Sequence, residues 1–289
     1  MPQFDYVAPT SVDEAVKALM SATGAKVLAG GTDLIVQMKA GRASPGAVVD
    51  LKRIPGAIGI RREADGGFAI GAATSGAALG EDAALVKAWP GVVEATNLIG
   101  STQVQGRASL GGNLCNASPA ADSVPALIAA RATCVIVGPA GRREAAVEAI
   151  QVSPGRTSLQ PGEFVLELRL PPRPRRAADA YLRLIPRTEM DIAVVGAGVN
   201  LVLDGAGVVT EAHVSLGAVA PTTLLVTAAG AALVGSKLDE AALDQLDAAA
   251  RAACNPIDDK RGTVDYRTKI AGVLARRAAA IAYNRAEAR

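Results

Sequence analysis

The sequence predicts an α+β protein built as a larger mixed unit followed by a smaller unit of antiparallel strands and helices. Short strand-like runs, punctuated by glycine and alternating with short helical patterns, fill the first 170 or so residues. The segment Pro171-Pro-Arg-Pro-Arg-Arg176 can continue neither a central strand nor a helix, so the main boundary is expected at 175/176. Beyond it two strand-like runs meet at a turn sequence and two helical patterns follow. With 289 residues and 50% hydrophobic content, the chain has material for two cores.

Taken in order, Ser11 followed by Glu14 makes a capping-box pattern, and Ala15, Val16, Leu19 and Met20 repeat at helical spacing, which predicts a helix over about Val12 to Ala22. Lys26 to Ala29 reads as a buried strand that ends in Gly30-Gly31-Thr32-Asp33 and turns into a short helix from Leu34 to Lys39. Ala47 to Asp50 reads as another strand, completing a small α/β subdomain of about residues 1–57. In residues 58–175 the expected elements are a strand at Phe68–Gly71, a helix around Ala83 to Thr96, and strands at Cys134–Val137 and Phe164–Leu170. In residues 176–289, Ile192–Leu203 and Glu211–Ala218 are strands joined through Asp204-Gly-Ala-Gly207, and helices follow near 239–253 and 263–286.

Charge and composition exclude several classes. Thirty Lys plus Arg against 28 Asp plus Glu leave +2 without a basic block, so no electrostatic footprint for nucleic acid is present. Cys115, Cys134 and Cys254 lie far apart with no CxxC spacing, which gives no iron–sulfur or zinc site. The N-terminal MPQFDYVAPTSVDEAV has acidic residues where a signal peptide would be basic and then apolar, and the cysteine usage suits a reducing compartment, so a cytoplasmic location is expected. The uncharged run Gly217 to Ser236 approaches the length of a membrane span, but Pro221, three threonines and two glycines divide it into strand, turn and helix. No membrane span is expected.

Two glycine-rich bends carry the candidate chemistry: Ala29-Gly30-Gly31-Thr32-Asp33-Leu34 and Ser109-Leu110-Gly111-Gly112-Asn113-Leu114. Paired glycines allow backbone N–H groups to approach an anion, and neighbouring hydroxyl and amide groups add donors, which is what a pyrophosphate requires. Either bend alone is more often an ordinary tight turn. No GKS or GKT follows, and Gly196-Ala-Gly198 lacks the third glycine of a Rossmann fingerprint, so those two nucleotide sites are disfavoured.

Four segments, LAGGTDLIVQMK (28–39), IGSTQVQGRASLGGNLCNASPAADSVPAL (99–127), YLRLIPRTEMDIAVVGAGV (181–199) and DDKRGTVDYRTKIAGVLARRA (258–278), span the chain. In them it resembles the medium, flavin-binding subunits of the xanthine dehydrogenase and carbon monoxide dehydrogenase family of molybdenum hydroxylases. The resemblance implies the FAD-binding fold of vanillyl-alcohol-oxidase type, a small α/β subdomain plus a larger antiparallel-sheet subdomain, followed by an antiparallel-sheet-and-helix domain.

The resemblance also implies site residues. Ala29, Gly30, Gly31, Thr32, Asp33 and Leu34 would wrap the FAD pyrophosphate, with Val27 near the adenine. Ser109, Gly111, Gly112 and Asn113 would form the second loop around phosphates and ribityl chain, and Asp122 would accept from an adenosine ribose hydroxyl. Ile99 stands where some members place an aromatic ring over the flavin. Val165 or Leu166 would offer backbone groups to the isoalloxazine edge, and Arg183 would place a cation beside its carbonyl end. Plainer readings stand beside these: Asp122 capping a helix that starts near Ser123, Arg183 as a surface charge, Asn113 satisfying turn backbone, and Cys115 as a small buried residue. His213 reads as a strand residue, and Asp258 and Asp259 as capping or interface charges, so a Ser-His-Asp hydrolase is disfavoured.

By the same resemblance, electrons from a molybdopterin centre would pass through 2Fe-2S clusters, both on partner subunits, to the FAD held here and on to an external acceptor. The partners would be a small 2Fe-2S subunit and a large molybdopterin subunit in a dimer of heterotrimers. The alternative of the same fold is a stand-alone flavin-dependent oxidase or reductase.

Overall fold

A computed structural model describes residues 3–289; Met1 and Pro2, the start of the expected first unit, lie outside the described residues. The fold is α+β. Asp5–Val7, Ala47–Asp50 and Lys26–Leu28 form a parallel three-stranded sheet with Ala47–Asp50 in the middle. The helix Val12–Ser21 covers it. Ser11 caps that helix by accepting from the Glu14 N–H at 3.2 Å, while Glu14 accepts from the Thr10 N–H at 2.8 Å, so the reciprocal bond falls one residue earlier than a strict capping box. Lys26–Leu28 was expected to be buried; it is half-exposed, because it is an edge strand.

The next sheet is fully antiparallel and runs Ile60–Arg62, Phe68–Gly71, Phe164–Leu170, Thr133–Gly138, Gly141–Ala146. A core of Ile70, Leu79, Leu85, Trp89, Leu110, Leu127 and Ile136 fills the space between this sheet and the short helices. The single helix expected over 83–96 is two, Ala83–Ala88 and Pro90–Thr96, with a further helix at Gly76–Glu81. Pro90 has no N–H to continue the first helix, and it is well suited to start the second.

The last sheet orders Ala177–Leu184, Val195–Leu203, Val209–Gly217 and Leu224–Leu225, all antiparallel. The helix Val264–Glu287 packs on it and Glu240–Ala252 packs in turn on that helix, through alanines that include Ala250, Ala271, Ala275 and Ala279, in a core separate from the first. Arg173 of the connector lies 3.8 Å over the Trp89 ring and pairs with the buried Asp179 at 2.8 Å, so this basic segment turns inward at one residue.

Candidate functional site

The first bend leaves the half-exposed strand at Ala29 and enters the helix Leu34–Lys39. Gly31 has φ +77°, and a β-carbon there would stand 2.9 Å from Leu28, so this position calls for glycine. Among the described residues, the backbone N–H groups of Gly30, Gly31, Thr32, Asp33 and Leu34 have no protein acceptor. Five successive free donors in one bend form a concave surface suited to an anion.

The second bend enters the helix Leu110–Cys115, capped by Ser109, whose hydroxyl accepts from the Gly112 N–H at 3.2 Å. The bends touch. A β-carbon on Gly30 would lie 1.8 Å from the Arg107 carbonyl oxygen, one residue before Ala108 and the second bend. Gln37 donates to Asn116 at 3.0 Å, tying the helix that follows one bend to the end of the helix that follows the other. Between them lies a cleft of about 270 Å³.

Val27, Ala29 to Leu34, Ile99, Ser109, Gly111, Gly112, Asn113 and Val165 all stand on its wall, although they come from four distant stretches of the chain. Glycine has different work at each position. Gly111 donates to the Ala72 carbonyl at 3.1 Å, and a β-carbon there would collide with Ala72, so this glycine permits packing. Gly112 would meet only the Ser109 hydroxyl, at 3.2 Å. Asn113 uses its side-chain oxygen to accept from both the N–H and the hydroxyl of Ser123, at 3.1 and 2.7 Å, so the plainer structural role is present on the cleft wall itself.

Three expected residues stand elsewhere. The Leu166 carbonyl accepts from the Ala72 N–H at 2.9 Å, which leaves Val165 as the member of that pair on the cleft. Asp122 and Arg183 form a buried ion pair at 2.9 Å. Residues in contact cannot serve opposite ends of an extended dinucleotide, so the assignment of Asp122 to the adenosine and Arg183 to the ring is corrected to a shared location. Asp122 also makes no capping hydrogen bond to the helix Ser123–Ala129, and Arg183 is not a surface charge. Burial pushes the Asp122 carboxyl up to about 6, the nearby Arg183 charge offsetting part of the rise. Asp122 Oδ1 and Arg183 Nε are buried, and the Tyr181 hydroxyl lies against the Asp122 carboxyl, so the pair is enclosed by protein.

Sequence reasoning passed over Gln37, Asn116, Leu51 and Ala72 on the wall. For Gln37 and Asn116 the available signal was a polar side chain on the short helix that follows each glycine pair, or at its end. Cys115 is also on the wall, yet burial pushes its thiol up to about 12, so it remains protonated at neutral pH and is no nucleophile. His213 pairs with Glu211 at 2.7 Å, and Asp259 holds Arg267 at 2.7 Å; none of these lines the cleft. Among the described residues no cluster of His, Cys, Asp or Glu could hold a metal ion, and no helix is long and apolar enough to cross a membrane.

Backbone donors without acceptors and glycines that admit close approach, gathered on one cleft, suit a diphosphate-bridged dinucleotide cofactor. Family comparison is direct. Residues 2–173 match the FAD binding domain in molybdopterin dehydrogenase, and residues 180–282 match the CO dehydrogenase flavoprotein C-terminal domain. The carbon monoxide dehydrogenase medium chain of Afipia carboxidovorans is 38% identical over 286 residues, covering 98% of each chain. A xanthine dehydrogenase FAD-binding subunit of Escherichia coli O157:H7 is 30% identical over 220 residues, 76% of this chain and 75% of that one. Among solved structures, reconstituted CO dehydrogenase from Oligotropha carboxidovorans superposes with a TM-score of 0.94 at 36% identity, covering 99% of both chains. The chain belongs to the FAD-binding medium subunits of the molybdenum-hydroxylase dehydrogenases, and is an oxidoreductase subunit.

Proposed function

We propose that this chain is the electron-transferring subunit of a cytoplasmic, heterotrimeric molybdenum hydroxylase that assembles as a dimer of heterotrimers. In that assembly it receives reducing equivalents from 2Fe-2S clusters on a small partner, supplied in turn by a molybdopterin centre on a large partner, and delivers them to an external acceptor. FAD, when bound, supplies the electron exchange. The free N–H groups of residues 30–34 hold its diphosphate, and Gly112 and Ser109 bound the opposite wall. The buried pair Asp122–Arg183 stands off the cleft wall, one residue from the Ser123–Asn113 bond, and braces the second bend from behind.

The observation that carries this reading is the convergence of the two glycine bends on one cleft. The division at 175/176 into a FAD-binding domain, itself split near residue 57, and a C-terminal domain is part of the same proposal, supported by one core drawn almost wholly from residues before the boundary, with Tyr181 reaching into it, and a second drawn from residues after it. The experiment is to purify the full chain, add FAD, remove excess and record the visible spectrum. Flavin bands at about 370 and 450 nm that stay with the protein are expected, and a chain that retains no flavin overturns the reading. Recovery of the tagged chain with an iron–sulfur chain and a molybdenum-containing chain tests the assembly, and isolation as a self-sufficient oxidase would overturn it.

A further inference from the structure

The peptide between Ala29 and Gly30 has a cation on its far side. Lys52 Nζ donates to the Ala29 carbonyl oxygen at 2.9 Å, reaching across 23 positions of sequence. A trans peptide points its carbonyl and its N–H in opposite directions, so the N–H of Gly30, free of any protein acceptor, faces away from the lysine. Gly30 itself is on the cleft wall.

The lysine is held from behind. Asp50, at the end of the central strand of the parallel sheet, accepts from the Lys52 N–H at 3.1 Å and from Nζ at 2.6 Å through one oxygen, and from the Tyr6 hydroxyl at 2.6 Å through the other. Burial raises the Asp50 carboxyl, but the hydrogen bonds from Lys52 and Tyr6 outweigh it and hold the group below the usual carboxylate range, so it is ionised at neutral pH. Both Asp50 oxygens are engaged by these partners. The carboxylate is thus spent on orienting the lysine, and Leu51, between them in sequence, lies on the cleft wall.

Resting on the FAD reading, we infer that Lys52 is a positioning residue for the cofactor's diphosphate: oriented by Asp50, it polarises the Ala29–Gly30 peptide and fixes it with the Gly30 N–H aimed at the anion. A cation on the carbonyl oxygen makes the N–H of the same peptide a stronger donor, because bonds in such a chain reinforce one another in a low-dielectric setting. Fixing the carbonyl also holds the bend before the ligand arrives, which lowers the cost of ordering it on binding.

The test uses the full chain stripped of flavin, as wild type, Lys52→Met and Lys52→Arg. FAD titrations, thermal melts without flavin, and phosphorus NMR of bound FAD are compared. Lys52→Met is expected to weaken FAD by about tenfold, the scale of one hydrogen bond to a charged group, in a chain that still melts cooperatively without flavin, at a lower temperature because Asp50 loses its cation. Its diphosphate resonances shift while the visible flavin spectrum stays unchanged, and Lys52→Arg recovers affinity to within about threefold of wild type because it restores the cation. Unchanged FAD affinity and phosphorus shifts in Lys52→Met overturn the inference, as does an arginine variant no better than the methionine one. If Lys52→Met does not fold, Asp50→Asn, which frees the lysine without removing it, is read in the same way: weaker FAD with shifted resonances supports, wild-type behaviour overturns. A wild-type chain that binds no FAD refutes the cofactor reading instead, and so the two failures are distinct.

Discussion

A β-carbon on Gly30 would stand 1.8 Å from the Arg107 carbonyl oxygen, whereas one on Gly112 would meet a single hydroxyl at 3.2 Å. Gly30→Ala therefore forces the bends apart: about 3 kcal/mol of stability is lost in urea denaturation of the flavin-free chain, and FAD binding with it. Gly112→Ala lies on a helix where alanine is favoured, so stability stays within about 1 kcal/mol while the methyl intrudes where phosphate or ribityl atoms approach. Full flavin occupancy in Gly112→Ala would remove the second bend from the site. The Asp122 carboxyl gives a pH test. Its folded value of about 6 lies above the ordinary 3.8, so the folded chain holds this proton more tightly. The stability it contributes is complete below about 3.8 and fades as pH rises through about 6. Asparagine mimics the protonated form, so flavin-free Asp122→Asn should gain on wild type in melting temperature between pH 4 and 7; a constant gap would contradict the raised carboxyl. The glycine bends were legible in sequence because paired glycines flanked by hydroxyl and amide residues have a direct chemical meaning. The Asp122–Arg183 contact was not, since 61 positions separate two residues that no periodicity links.

Elements with one covered face or an explicit cap were readable, and those defined only by their surroundings were not. Val12–Ser21 follows from its cap and spacing, and Glu240–Ala252 and Val264–Glu287 fall where helical patterns are expected, all with bounds close to the expected ones. Ala177–Leu184 reads as alanines and single polar residues without clear alternation; it is a strand because helices cover it and Val195–Leu203 pairs along its whole length. Its most consequential residue is Asp179, whose Oδ2 accepts from the Val92 N–H at 3.0 Å in the first turn of Pro90–Thr96, while its other oxygen accepts from Arg173 at 2.8 Å. Burial raises this carboxyl, with Arg173 and the backbone donors opposing the rise. Asp179→Ala removes one member of a buried pair and leaves the Arg173 guanidinium uncompensated over Trp89. A loss of about 3–5 kcal/mol is expected in urea denaturation, and a loss below about 1 kcal/mol would show that the pair is not a structural tie.

At the scale of the molecule, the meeting of residues 30 and 111 depends on tertiary packing that no local pattern encodes, and part of that packing comes from the C-terminal sheet. The helix Ser123–Ala129 lies against Val195–Leu203, where a β-carbon on Gly198 would come 2.6 Å from the Pro125 carbonyl oxygen; Gly217 is equally close to the Pro125 ring, at 2.8 Å. The same helix begins with Ser123, which holds Asn113 on the cleft wall. Force applied at residue 198 thus reaches the second glycine bend through one short helix. Gly198→Val is expected to cost about 3 kcal/mol by overpacking a junction where the backbones touch. Because the two cores are joined across this junction, urea unfolding followed by Trp89 fluorescence and by far-ultraviolet circular dichroism should coincide in wild type and separate in the variant. FAD affinity should fall several-fold as Ser123 withdraws from Asn113, although residue 198 is not on the cleft wall. Coincident transitions and wild-type affinity in Gly198→Val would mean that the C-terminal sheet is a passive neighbour of the cofactor site.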